Sequence, residues 1–256
     1  MEANSSWIYL LKSILEDGHE VRPRKMLCKE LVCHTSEINM KYPFVTCPDR
    51  DIGYQFMAAE AWWILTGQNR VKTIKKYGNI AMFSDDGYHF DGAYGPRVVD
   101  QLRYVAEALN MDRDTRQSVM SIWRPNPRHS RDIPCTLTLQ WLIRSGQVDC
   151  VANMRSSDVW LGWPYDVFNF SMITAYIMLL MREAQLFPVY NLGTLYMNVG
   201  SQHLYEKNRE AAEMITKQDY WGDMSPVFSH LSYSSPNHLI SKLEEIKDTE
   251  KGALGI

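Results

Sequence analysis

Between Asn153 and Asp166 the chain reads Asn153-Met-Arg-Ser-Ser-Asp158-Val-Trp-Leu-Gly162-Trp-Pro-Tyr-Asp166, unusually dense in hydrogen-bonding side chains for an ordinary connection. Arg155 offers a planar fork suited to phosphate, and Ser156 adds a donor beside it. Asp166 stands at the mouth of a long apolar stretch, where a carboxylate either caps a helix or reads a heterocyclic base. About twenty positions upstream, Pro134-Cys135 supplies a thiol. A nearby guanidinium favours the thiolate, the nucleophilic form, so Arg155 is the expected partner of Cys135. The pattern is expected to be a strand end, a polar loop and a helix start.

These groups need a frame to hold them. The chain has 256 residues, 45% hydrophobic and 22% charged, enough for a sizeable core. Its net charge of -3 gives no global attraction to nucleic acid or anionic membrane, so phosphate must meet a local cluster of arginines. The longest apolar run, Met172–Met181, is too short to span a bilayer, and no charged-then-apolar leader opens the sequence. A cytoplasmic protein that binds small molecules is expected. The five cysteines are odd in number and irregularly spaced, which argues against a disulfide scaffold. Cys28, Cys33, His34 and Cys47 lack the paired spacing of a zinc site, so no metal is expected and the other thiols read as buried and inert.

Trp7, Leu10, Leu11 and Ile14 keep helical spacing, with Asn4 or Ser5 as cap and Gly18 past the end. Residues 25–47 read as strands and turns. A second helix is expected over Asp51–Gly67, placing Glu60 beside Trp62 and Trp63, where it either faces solvent or takes part in chemistry. A short helix follows at 71–77, and Val99, Leu102, Val105, Ala106 and Leu109 mark another. Val119–Trp123, Thr136–Ile143 and Val148–Met154 read as strands, the last two joined at Ser145-Gly146 as a hairpin. Residues 167–186 form the longest helix, apolar nearly all round and so expected at the centre. A strand over Tyr190–Val199, a helix over 203–216 and an amphipathic stretch at 239–246 complete the reading. No repeat or linker divides the chain, and a single α+β domain over 1–256 follows.

Taken together, the motifs resemble the thymidylate synthase superfamily over nearly the whole chain. The resemblance rests on Pro134-Cys135, on Arg155-Ser156-Ser157-Asp158 running through Leu161-Gly162 to Pro164, and on His203-Leu-Tyr205. Departures point to the cytidylate and deoxycytidylate 5-hydroxymethylase branch. Pro164-Tyr165-Asp166 stands where synthases carry P-F-N, Thr136 follows the nucleophile in place of histidine, and Met154 precedes Arg155 in place of glutamine. The tryptophan-bearing wall of the folate pocket is reduced to Ile80-Ala-Met-Phe-Ser-Asp. Asp166 has a physical rationale of its own. Cytosine presents a donor at N4 and an acceptor at N3, so a carboxyl that shares a proton with N3 matches it, whereas an amide matches uracil.

The resemblance implies a thymidylate synthase-like mixed sheet packed with helices, and a chemistry that uses 5,10-methylenetetrahydrofolate. Cys135 would attack C6, the one-carbon unit would join C5, and water rather than hydride would complete the product. It further implies Glu60 and Tyr94 beside the nucleophile, and Asp158, Leu161, Gly162 and Glu60 at the folate. Arg24, with Arg22 as rival, Arg155 and Ser156 would hold phosphate, and His203 and Tyr205 would read the sugar. Otherwise, His203 and Tyr205 are a packed helix start. A homodimer is implied, with Arg116 reaching the neighbour's phosphate. Two other readings stay open: a folate-dependent C5 methyltransferase, and a catalytically silent nucleotide-binding homologue.

Overall fold

The computed structural model describes residues 1–184, 190–218 and 226–249. At its centre lies a sheet flanked by helices. In chain order the elements are α1 (Ala3–Asp17), β1 (His19–Val21), β2 (Cys28–Asn39), α2 (Tyr54–Leu65), α3 (Val71–Ile74), α4 (Tyr94–Met111) and β3 (Val119–Ser121). They continue with β4 (Thr136–Arg144), β5 (Gln147–Asp158), α5 (Trp163–Glu183), β6 (Asn191–Tyr205), α6 (Arg209–Thr216) and α7 (Pro236–Asp248). The six strands lie in the order β1-β2-β6-β5-β4-β3. All neighbours run antiparallel except β5 and β6, which are parallel. Parallel strands need a long crossover, and α5 provides it. The expected α+β class with a mixed sheet and one long central helix is what the chain forms.

Alternation decides which face each strand buries. Along β5, Val148, Cys150, Ala152 and Met154 point into the core, while Asp149, Val151 and Asn153 are half-buried on the other face. On that second face a chain of polar side chains crosses four strands. Asn153 donates to Thr138 at 3.1 Å, Asn198 donates to Asn153 at 3.2 Å, and Thr35 donates to Asn198 at 2.9 Å. Helix α5 is buried on nearly all sides by Val167, Phe168, Phe170, Ile173, Ile177 and Leu179. Trp141 of β4 anchors it by donating its indole N–H to Thr174 at 2.9 Å. The β4–β5 turn has Ser145 at φ 49° and Gly146 at φ 76°, as a two-residue hairpin of the expected kind requires.

Several boundaries differ from the sequence reading. Strand β5 runs on to Asp158, so Arg155, Ser156 and Asp158 sit on a strand and not in a loop. Strand β6 runs to Tyr205, which removes the helix start expected at 203; α6 begins only at Arg209. Both extensions have one cause. Strand β6 pairs on one side with β2, up to Cys28 opposite Tyr205, and on the other with β5, up to Asp158 opposite His203. Backbone groups there bond between strands, which overrides local preference. Helix α5 starts four residues before the expected 167, at Trp163, with Pro164 in its first turn; the expected end at 186 lies outside the described residues. Helix α2 starts at Tyr54 instead of Asp51, and α3 is confined to Val71–Ile74.

The expected cap on α1 is absent. Glu2 holds the N-cap position, and Asn4 instead turns to Thr46, donating and accepting at 2.8 Å each. Val99 is exposed, and Val98 takes the core position on α4. Cys28, Cys47 and Cys150 are buried, but Cys33 is exposed, so the reading of buried thiols fails for that residue.

Candidate active site

Cys135 is the residue just before β4, half-buried at the sheet's end. Its segment is clamped by Arg155 on the neighbouring strand. The Arg155 backbone N–H donates to the Cys135 carbonyl at 2.8 Å. Nε of Arg155 donates to the Pro134 carbonyl and Nη2 to that of Ile133, both at 2.9 Å, and Nη1 donates to the Ser156 hydroxyl at 3.1 Å. Ser156 in turn donates to Cys135 Sγ at 3.5 Å. Arg155 is therefore first a clamp on the nucleophile segment. Burial pushes the Cys135 thiol up, while the charges of Arg155 and Arg24 and the Ser156 hydrogen bond oppose it. Anything that brings the thiol closer to those cations raises the thiolate fraction.

Tyr94 opens α4 and reaches the next residue of the same segment. Its hydroxyl donates to Thr136 Oγ1 at 2.9 Å and accepts from the Thr136 backbone N–H at 3.1 Å. Burial and the neighbouring Asp166 and Cys135 hold the phenol far up in its protonated form. Tyr94 thus stays a neutral phenol that holds Thr136, the residue after the thiol, and not a phenolate.

Asp166 occupies the first turn of α5, and Gly162 is the N-cap. No hydrogen bond from a described residue reaches the Asp166 carboxyl, so the capping role is excluded: the group is left free to meet a ligand. Glu60 of α2 lies near enough for its charge to act on it. Burial, then the Glu60 charge, raises Asp166 well above the ordinary carboxyl range. Glu60 itself is pushed up to about 7 by burial, against the opposing hydrogen bond from Asn169. That bond runs from Asn169 Nδ2 to Glu60 Oε2 at 2.7 Å. Glu60 therefore does not simply face solvent.

Asp158 ends β5. One of its oxygens accepts from the backbone N–H groups of Trp160 at 2.9 Å and Leu161 at 3.1 Å, which tightens the turn into α5. The other is buried without a partner among the described residues. Leu161 is 44% exposed on that turn, and Gly162 closes it by donating to the Asp158 carbonyl at 3.0 Å. His203 lies opposite Asp158 on β6 and meets the Tyr205 ring edge-on at 5.0 Å. These two therefore present side chains from a strand.

Arg24 sits in a tight left-handed turn, φ 50°, and its charge is felt at Cys135; no such influence of Arg22 is found there. Arg116 lies elsewhere, on the segment between α4 and β3. It borders a cavity of about 560 Å³ shared with Tyr104, Glu107 and Met111. Its carbonyl accepts from Gln140 at 2.9 Å, and no described hydrogen bond or ion pair joins its side chain to the cluster around Cys135.

Two residues escaped the sequence reading. Asn169 was hidden in a helix read as apolar nearly all round, although it lies three positions after Asp166 and so on the same face. Arg50 donates twice to the Trp160 carbonyl, at 2.9 and 2.6 Å, and stacks over that indole at 5.2 Å. It pins the turn that carries Asp158. Nothing in its local sequence separates it from an exposed arginine. The segment at 80–85 shows exposed Met82 and Phe83, a thin aromatic wall.

A thymidylate synthase family model matches residues 5–225. A deoxyuridylate hydroxymethyltransferase of Bacillus phage SP01 is 29% identical over 220 residues, covering 77% of this chain and 55% of that protein. One of the same description from Pseudomonas phage M6 is 32% identical over 140 residues, covering 50% and 40%. A thymidylate synthase of Buchnera aphidicola subsp. Baizongia pistaciae is 24% identical over 231 residues, covering 84% of each chain. The chain thus spans about half the length of the two phage relatives.

Proposed function

The chain belongs to the thymidylate synthase family, and we propose that it hydroxymethylates C5 of a cytosine nucleotide, dCMP or CMP, with methylenetetrahydrofolate and water. The observation that carries the reading is Asp166: a carboxyl in the first turn of α5, bonded to no described residue, its charge acting on the Cys135 thiol and Glu60's acting on it. Held as the acid by its surroundings, Asp166 can donate its O–H to N3 of cytosine and accept N4–H on its other oxygen.

The family uses methylenetetrahydrofolate as its one-carbon donor. The residues here fit that molecule, because Asp158 keeps one buried oxygen unpaired, an acceptor suited to the N–H donors of a pterin. Leu161 and Gly162 would line the same turn. When bound, the folate supplies a carbon at the oxidation level of formaldehyde.

The chain's own groups do the rest. Cys135 Sγ adds to C6 as the thiolate, and the electron pair moves to C5, which forms the new carbon–carbon bond. The hydrogen bond from Asp166 to N3 draws electrons from the ring and favours that addition. C5 then loses its proton, and the electron pair it leaves would break the bond between the transferred carbon and the folate nitrogen, so that tetrahydrofolate would depart. Hydroxide from an ordered water joins the transferred carbon, and the thiolate leaves C6. Glu60, with a pKa near neutrality, is matched to orient that water and take its proton. Tyr94, a neutral phenol, fixes Thr136 and so the segment that carries the thiol. Arg24, Arg155 and Ser156 would hold phosphate, His203 and Tyr205 the sugar hydroxyls, and Arg116 of a second copy would complete the phosphate site in a homodimer.

A second reading, hydroxymethylation of a uracil nucleotide, is favoured by the names of the two phage relatives. A carboxylic acid turned over can accept N3–H and donate to O4 of uracil. Asp166→Asn separates the two. If Asp166 selects cytosine, the variant loses turnover on the cytosine nucleotide and gains binding of the uracil one. Leaving a buried polar group mismatched costs about 1–3 kcal/mol, so the preference should move by roughly ten- to a hundredfold. An unchanged ratio would remove the cytosine assignment.

A further inference from the structure

We propose that Asn169 is a positioning residue that assigns the proton of the Glu60–Asp166 pair, keeping Glu60 as the carboxylate and leaving Asp166 as the acid. The proposal deepens the functional reading above and rests on it for the roles of the two carboxyls.

Glu60 is bonded to Asn169, one turn along α5 from Asp166, which brings the two carboxyls near each other. Neighbouring carboxyls cannot both ionise cheaply, so the pair holds one proton over a wide pH range. Which carboxyl holds it depends on what each is bonded to. No ion pair among the described residues reaches either group. The groups around them are Asn169 from α5, Tyr94 from α4 and the Cys135 thiol ahead of β4, all without positive charge. Among the described residues, the one direct hydrogen-bond donor to the pair is the Asn169 amide, 2.7 Å from Glu60 Oε2. An N–H donated to a carboxyl stabilises its charged form. Asp166 receives no such bond from a described residue.

The amide's own surroundings sharpen the point. Asn169 is only 3% exposed, and its carbonyl oxygen is buried without a partner among the described residues. A buried orphan acceptor is costly, and swapping it for an apolar group of similar shape would avoid that cost. Its presence is accounted for if the donor side has work to do. Asn169 also follows Asp166 by three residues on α5, so one helix face carries both the base-reading acid and the group that keeps its partner ionised. A carboxylate at Glu60 can accept a proton from water, and an acid at Asp166 can donate to a base nitrogen. With the proton on the other member, neither task can be done.

The test is the infrared carboxyl band of the 256-residue chain without ligand, titrated with pH and assigned with Glu60→Gln and Asp166→Asn. In Asn169→Leu the Glu60 midpoint should rise by about one pH unit, and the Asp166 midpoint should fall. Opposed shifts are not what general loosening would produce. Asn169→Ser, which keeps a donor, should restore most of the wild-type titration, and Asn169→Ala serves if the leucine variant does not fold. The acid limb of the turnover–pH profile should move upward with the Glu60 midpoint. Unchanged midpoints in the leucine or alanine variant, or equal shifts in the serine one, would overturn the proposal. Because the band is read without substrate, a wrong choice of base leaves this result standing.

Discussion

At the scale of single residues, the account rests on a thiol held by its neighbours' backbone and charge. Cys135→Ser should still bind nucleotide, since Arg155 and Ser156 keep their places, but lose turnover by several orders of magnitude. Near-normal turnover, measured by release of tritium from C5, would remove covalent catalysis. The residues of this cluster were legible because a nucleophile and its cationic partner must be particular residue types. Cys135, Arg155, Ser156 and Asp158 announce themselves in that way. Asn169 did not, because one amide in a long apolar helix carries no message until Glu60 is seen 2.7 Å away. Arg155 was legible as a residue but only half so as a role. Three of its five N–H donors go to two carbonyls and a hydroxyl in this chain, which no spacing rule foretells.

At the scale of elements, the site sits where β5, β6 and the start of α5 converge. The parallel β5–β6 pairing carries an irregularity between Val148 and Cys150, and Gly193 fits it. A Cβ on Gly193 would lie 2.1 Å from an Asp149 oxygen, the same oxygen that accepts the Thr194 backbone N–H at 2.7 Å. Gly193→Ala should therefore destabilise the fold by about 1–3 kcal/mol, as overpacking does. Thermal unfolding would show it; a melting temperature equal to wild type would mean the close approach relaxes freely. The periodicity of α4 and α5 and the Ser145-Gly146 hairpin could be read ahead of the structure, since each is decided locally. The ends of β5 and β6 could not. Arg155–Asp158 and Gly200–Tyr205 become strand because partners far away in sequence lie beside them.

At the scale of the whole molecule, no hydrogen bond or ion pair among the described residues joins the Arg116 side chain to the cluster around Cys135. Arg116 lies on the segment before the edge strand β3, bordering an open cavity. If two copies share their sites, mixing an Arg116→Ala chain with a Cys135→Ser chain should restore part of the activity, because one hybrid site would be intact. Failure to complement, with subunit exchange demonstrated, would mean each site is built from one chain. The reaction as a whole is tested most directly by offering the wild-type protein 5-tritiated dCMP, CMP, dUMP and UMP in turn. Each is given with methylenetetrahydrofolate, and tritium release and the folate product are read together. The account expects release from a cytosine nucleotide, tetrahydrofolate as the folate product and a hydroxymethyl group at C5. Dihydrofolate in its place, or turnover confined to the uracil nucleotides, would contradict it.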